Sequence, residues 1–207
     1  MKDTYYCVVS PSEEILLKEK GSKFFGYAFP VESETQVEEA IQELRKIHHK
    51  ARHFCYAYQI GMHYEKFRAN DDGEPSNSAG MPIYGQLQSF DVTNTLVVVV
   101  RYFGGTKLGV GGLISAYKTS AQMALEASKI EEREIQEKLY IQCSYDLMNA
   151  VMRLVKEENL NISEQILQED CKFMIPIRLG DFETIKEKAK AIYGLKVWEG
   201  DEEEEFD

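Results

Sequence analysis

The sequence predicts an α+β fold in two parts, and three observations predict it. Segments with a two-residue apolar period alternate with segments of helical period through the first 130 residues. A long apolar run, "TLVVVV", leads through a glycine tract into a helical pattern, as a covered strand does when it feeds a helix packed on its sheet. Beyond the charged stretch "KIEEREIQEK" (129–138), the pattern reads βαββαβ, the ferredoxin-like arrangement. The expected boundaries are 1–130 and 135–200 for the two domains, with 201–207 as an acidic tail.

In the first part, "KFFGYAFPV" (23–31) has strand composition and stops at Pro30. Ser33 and Gln36 form a capping-box pattern that opens a helix, with an apolar face of Val37, Ala40, Ile41, Leu44 and then Ile47 or His48. "HFCYAYQIG" (53–61) alternates as a strand, with Phe54, Tyr56 and Tyr58 on one face and His53, Cys55 and Ala57 on the other. "RANDDGEPSNSAG" (68–80) reads as a polar turn, and Pro75 with Ser76–Ser78 offers caps for a short helix through "MPIYGQLQSF". "NTLVVVVRYF" is then a central strand, and "LISAYKTSAQMALEAS" a helix that buries Leu113, Tyr117, Ala121 and Ala124. In the second part the strands fall at 139–145, 160–168, 171–179 and 195–199. The helix over 147–158 buries Leu147, Val151, Leu154 and Val155; the helix over 181–192 buries Phe182, Ile185, Ala189 and Ile192. Trp198, the one tryptophan, reads as a core residue.

Composition excludes several classes. With 207 residues and 43% apolar content the chain can bury a core. No apolar run reaches the length of a membrane span, and "MKDTYYC" is not a signal peptide. Cys7, Cys55, Cys143 and Cys171 lack metal or disulfide spacing and suit a reducing cytoplasm. The net charge of −11 is uneven: residues 1–130 hold 14 Lys/Arg against 15 Asp/Glu, and 131–207 hold 10 against 20. The first part is therefore open to an anionic partner.

Three stretches carry candidate chemistry. "RYFGGTKLGVGG" (101–112) places five glycines in nine positions before a helix. Gly104 and Gly109 have Walker spacing, but Val110 and Gly111 stand where that loop needs lysine and a hydroxyl, so a Walker mechanism is excluded. Backbone amides at a helix start, flanked by Arg101 and Lys107, still form a place for an anion, and the bland alternative is a tight turn with close helix packing. The candidate anion or nucleic-acid contacts are Arg101, Tyr102, Phe103, Gly104, Gly105, Lys107, Gly109, Gly111 and Gly112. His49, Lys50 and Arg52, interleaved with aromatics, join them as a surface for phosphates and stacked bases. In "DDGEP", Asp71, Asp72 and Glu74 could hold a hard cation such as magnesium or serve as acid and base. Spacing favours instead an Asp-Gly turn whose carboxylates satisfy N–H groups at the start of the following helix, and a pairing of the turn with Arg101 is a further structural alternative. His53 and Cys55 share a strand face, but no third group is identifiable to orient a Cys–His pair.

"KGSKFFGYAFPV", "DDGEPSNSAGMPIYGQL" and "VVVVRYFGGTKLGVGGLISAY" together closely resemble the IMPACT (YigZ-like) family. One departure is "SNSAGMP", where the family more usually reads Gly-Thr-Ala-Gly; Ser78 keeps the hydroxyl. The resemblance implies an N-terminal domain like the βαβ domains of ribosomal proteins and domain IV of elongation factor G. It implies a C-terminal ferredoxin-like domain similar to domain V of that factor. The amides, cations and aromatics of the glycine tract make the leading expectation a non-enzymatic cytoplasmic binding protein without a cofactor, with RNA, the ribosome or a translation factor as partner. Two alternatives stand beside it: a module that docks only on protein, and a small-molecule phosphotransferase or phosphate-ester enzyme. In the latter, the glycine loop would take a small phosphate ligand and the DDGEP acids magnesium.

Overall fold

An uninterrupted run of large apolar residues must be covered on both faces, and Thr95–Tyr102 (β6) is. In the computed structural model, which describes residues 3–200, β6 is the centre of a five-stranded antiparallel sheet. Its other strands are Ile15–Glu19 (β2), Ser22–Pro30 (β3), His53–Ile60 (β4) and Lys66–Asn70 (β5), in the order β2-β3-β6-β4-β5. Glu34–Ile47 (α1) covers one face, packing Val37, Ile41 and Leu44 on Leu96, Val98 and Val100. Gly80–Ser89 (α2) and Gly109–Glu126 (α3) cover the other, around Val97, Val99, Phe24 and Ala57. Thr4–Val8 (β1) and Ile130–Glu134 (β7) form a separate two-stranded sheet.

The described residues fall into two compact units, Tyr5–Arg133 and the remainder, residues 3–4 with 134–200. In the second unit the elements are Gln136–Ser144 (β8), a 3-10 turn at Tyr145–Leu147, Met148–Glu157 (α4), Glu164–Leu167 (β9), Asp170–Arg178 (β10), Leu179–Lys190 (α5) and Lys196–Glu199 (β11). The sheet order is β11-β8-β10-β9, antiparallel throughout. Val151 and Leu154 of α4, with Phe182, Ile185 and Ala189 of α5, bury one sheet face. The acidic tail expected at 201–207 lies outside the described residues. Among those described, no helix is long and apolar enough to cross a membrane.

The helix face of α1 closes on His48, 6% exposed, and leaves Ile47 in solvent. Ser33 accepts from the Gln36 amide as its N-cap, while the Gln36 side chain reaches one residue further back, to the Glu32 amide. Several expectations need correction. The polar turn at 68–80 begins only at Asp71, because Lys66–Asn70 is an edge strand. The stretch 129–138 holds β7 and the start of β8. The helix after the glycine tract begins at Gly109, so Gly109, Gly111 and Gly112 lie in its first turn. Trp198 is half-buried, stacked on Tyr140 at 5.6 Å and 13°. Strand alternation sends its neighbour Val197 into the core and Trp198 to the opposite face.

Candidate functional site

The C-terminal end of β6 is where the sequence-predicted residues gather. Register places Lys23 of β3 opposite Tyr102, and His53 of β4 opposite Arg101, so Arg52 stands beside this end as well. His49 and Lys50 lie in the connection from α1 into β4, and Lys107 in the connection from β6 to α3. Lys23, His49, Lys50, Arg52 and Lys107 are all exposed, and none has a hydrogen-bond or ion-pair partner among the described residues. Phe103 is 57% exposed. Tyr102 is half-buried, with its ring 5.6 Å from that of Phe25. The result is a cationic rim with aromatic rings at its edge. Sequence reasoning missed Lys23; only the β3–β6 pairing brings it to the rim.

Arg101 does not belong to that rim, and its place among the anion contacts is corrected. Alternation along β6 sets it on the α3 side, where it is 6% exposed. Its Nη1 donates to Glu74 Oε1 at 2.6 Å, and the glutamate side chain is 5% exposed. Tyr117 donates to the same carboxylate oxygen at 2.8 Å. Arg101 Nη2 lies 3.4 Å from Ser22 Oγ, which accepts from the Gly104 amide at 3.2 Å. Its guanidinium sits 5.5 Å from the ring centroids of both Phe24 and Phe103. Burial, the neighbouring Cys55 and the Glu74 charge push the Tyr117 hydroxyl far above its usual range.

The other two acids of DDGEP are also engaged. Asp71 Oδ1 accepts from the amides of Ala79 and Gly80 at 2.9 and 2.8 Å, and its Oδ2 from Asn77 at 2.8 Å. It therefore caps α2, whose N-cap residue Ala79 has no side chain able to do so. The serines do not cap the helix; Ser78 Oγ donates instead to the Pro75 carbonyl. Asp72 Oδ2 accepts from the Phe54 amide at 2.7 Å and pairs with Arg45 at 3.3 Å. With every carboxylate held by protein donors, the turn does not fit a magnesium ligand set; among the described residues no cluster of three or more metal-ligating side chains occurs. Cys55 is fully buried, and burial pushes its thiol upward, which removes thiolate character.

The glycines divide between structural need and openness. A Cβ on Gly104 would come 1.9 Å from the Gly21 carbonyl carbon, so this residue serves close packing of the loop on the β2–β3 turn. Gly105 and Gly109 take φ of +86° and +72°, the left-handed region. Gly111 has neither reason: a Cβ there meets nothing within 4 Å. The first turn of α3 has no capping side chain and no acidic residue, and the loop that leads into it, with Lys107, is exposed.

Beneath the rim, His48 is enclosed by Phe25, Tyr27 and Tyr102. Tyr27 donates its proton to Glu14, so the 2.5 Å contact to His48 Nε2 requires an Nε2–H donor. The Nδ1 then accepts from the Tyr102 hydroxyl at 3.1 Å. A hydrogen-bonded chain Glu14–Tyr27–His48–Tyr102, buried at Tyr27 and His48, thus props one aromatic of the rim.

Known proteins locate this architecture. The Impact N-terminal domain family matches residues 20–125. IMPACT family member YvyE of Bacillus subtilis (strain 168) is 35% identical over 173 residues, covering 84% of this chain and 79% of that protein. IMPACT family member YigZ of Escherichia coli (strain K12) is 30% identical over 141 residues, covering 67% of each. A solved crystal structure of a hypothetical protein, 25% identical, superposes with a TM-score of 0.74 over 98% of this chain and 100% of its own. The matched residues hold four strands of the five-stranded sheet, β3 to β6, together with the rim residues, and the chain belongs to the IMPACT family.

Proposed function

We propose that this protein is a non-enzymatic, cytoplasmic, translation-related binding protein that engages RNA, free or in the ribosome, through the rim at the end of β6. One observation carries the reading: five exposed basic side chains without partners among the described residues, Lys23, His49, Lys50, Arg52 and Lys107, ring two accessible aromatics. The lysines and Arg52 place a phosphate backbone, and Tyr102 and Phe103 offer faces on which bases stack. The open amides at Gly109–Gly112 would take one phosphate, with Gly111 leaving room for its approach. Family membership supports the translation-related role. The βαββαβ order and the β11-β8-β10-β9 sheet support a ferredoxin-like second domain over 135–200, of the kind found in elongation factor G. A phosphotransferase reading draws no support, since the acids it needs for magnesium serve helix capping and ion pairing.

Filter binding of a single-stranded RNA across a salt series tests the proposal. Log affinity falls with log salt at about 0.7 per neutralised phosphate, so Lys23→Ala/Arg52→Ala/Lys107→Ala is expected to reduce the slope by about 2. A slope unchanged by the triple variant overturns the reading. Arg101→Ala is unsuited to this purpose, because it breaks a buried pair.

A further inference from the structure

At the opposite end of the same sheet lies a feature the rim does not use. The strand β5 hydrogen-bonds through one edge only, to β4, and its outer edge carries no strand among the described residues. Edge strands are ordinarily blunted by charge, bulges or cover. Here the edge displays Phe67 at 57% exposure, its ring stacked on Tyr84 at 4.5 Å and 17°. Beside that pair opens a cavity of about 450 Å³, lined also by Gln59, Tyr64, Gln88, Asp91 and Val92.

The cavity is held open by its own hydrogen bonds. The Gln59 amide donates to the carbonyls of Tyr64 and Lys66 at 3.0 and 3.3 Å and accepts from the Tyr84 hydroxyl at 3.0 Å. Tyr64, an aromatic residue at φ +61°, donates its hydroxyl to Asp91 Oδ1 at 2.7 Å, and Asp91 itself stands at φ +51°. Left-handed backbone at bulky residues costs energy and persists where surrounding contacts impose it. On the other face of β5, Lys66 and Arg68 are exposed two positions apart and form no side-chain hydrogen bond or ion pair among the described residues; Arg68 lies opposite Tyr58, whose hydroxyl donates to Glu34.

We propose that β5 is a docking edge for an extended acidic peptide, which adds as a sixth strand. Its backbone pairs with the free edge of Lys66–Asn70. Successive side chains of a strand point to opposite faces, so every second residue meets Lys66 and Arg68 while the one between enters the cavity beside Phe67. The recognised pattern is therefore acidic, apolar, acidic. Charge complementarity selects the acids: β5 carries two cations and no carboxylate. RNA would satisfy those cations but leave the backbone edge unused, and its phosphates would meet Asp91 in the cavity, so the edge favours a peptide.

The test is a nuclear magnetic resonance titration of the full chain with a capped hexapeptide of alternating glutamate and leucine. Amide shifts are expected to move within 59–70 and 84–92. The double variant Lys66→Glu/Arg68→Glu should weaken binding at least tenfold, and Phe67→Ser at least threefold. All three positions are solvent-exposed, and circular dichroism checks that the variants fold. Two further peptides are N-methylated, one at every leucine and one at every glutamate. The form whose methyls face the edge should lose binding while the other keeps it. If both bind like the parent, or if the shifts appear at Lys23, Arg52 and Lys107, strand addition is overturned. Shifts at 66–70 with oligouridine but none with the peptide would assign the edge to RNA and overturn the proposal equally.

Discussion

Arg101 and Glu74, 27 positions apart, meet at 2.6 Å with side chains only 6% and 5% exposed. This pair ties the end of the central strand to the turn that precedes α2. Removing one member of such a pair strands a charge in the core at a cost of about 3–5 kcal/mol, whereas apolar replacement of both can be close to neutral. Urea unfolding is expected to show a loss of that size for Arg101→Met and for Glu74→Gln. The double variant Arg101→Met/Glu74→Leu should regain most of it. Losses that simply add in the double variant would mean the two residues act independently.

His48 makes the stability of the sheet unit depend on pH. Burial is the main cause that lowers its basicity, with Glu14 opposing. The folded protein therefore holds the imidazole neutral to a lower pH than the unfolded chain, whose histidine titrates near 6.5. Between those two values the unfolded state binds more protons, so stability falls as pH falls. The contribution is complete above about pH 6.5 and is lost as pH drops through the folded value. Asp3, Glu131 and Glu199, whose carboxyls are held low by Arg178, Lys129 and Lys186 respectively, act only in the more acidic carboxylate range. Urea midpoints between pH 7 and about 5 should thus decline more steeply for the native protein than for His48→Gln. Equal slopes would remove His48 from the account.

Much of this architecture is legible in the sequence where one face of an element is buried. The α1 face of Val37, Ile41 and Leu44, and the α5 face of Phe182, Ile185 and Ala189, follow from helical period, and β6 follows from its apolar run. The strands β5 and β7 are a different case. "KFRAN" and "IEERE" have little buried side-chain area, and their extended form comes from pairing with β4 and β1, which no local pattern records. Capping of α2 is legible in part: a DDGEP carboxylate at the helix start follows from the turn, but the serines there compete for the role, and only the fold shows Asp71 reaching amides up to nine positions on. The inward turn of Arg101 was present in strand parity, since Val97 and Val99 share its face. A pairing with the DDGEP turn is open from the sequence as well; that Glu74, and not Asp71 or Asp72, makes the pair is not legible there, because nothing local to the turn ranks its three acids.

Two glycine substitutions separate packing from ligand approach in the tract 104–112. Gly104→Ala drives a Cβ to 1.9 Å from the Gly21 carbonyl carbon and 2.3 Å from the Ser22 nitrogen, backbone against backbone. The β2–β3 turn must move, and thermal unfolding should show a loss of about 1–3 kcal/mol. Gly111→Ala meets open space in the first turn of α3. Reducing the freedom of the unfolded chain and improving helix propensity should stabilise it by about 0.4–1 kcal/mol. If the α3 amides take a phosphate, that added methyl obstructs the approach, so RNA affinity should fall as the melting temperature rises. A Gly111→Ala protein that is more stable and binds RNA unchanged would show that no ligand comes near those amides, leaving the basic side chains as the whole of the rim.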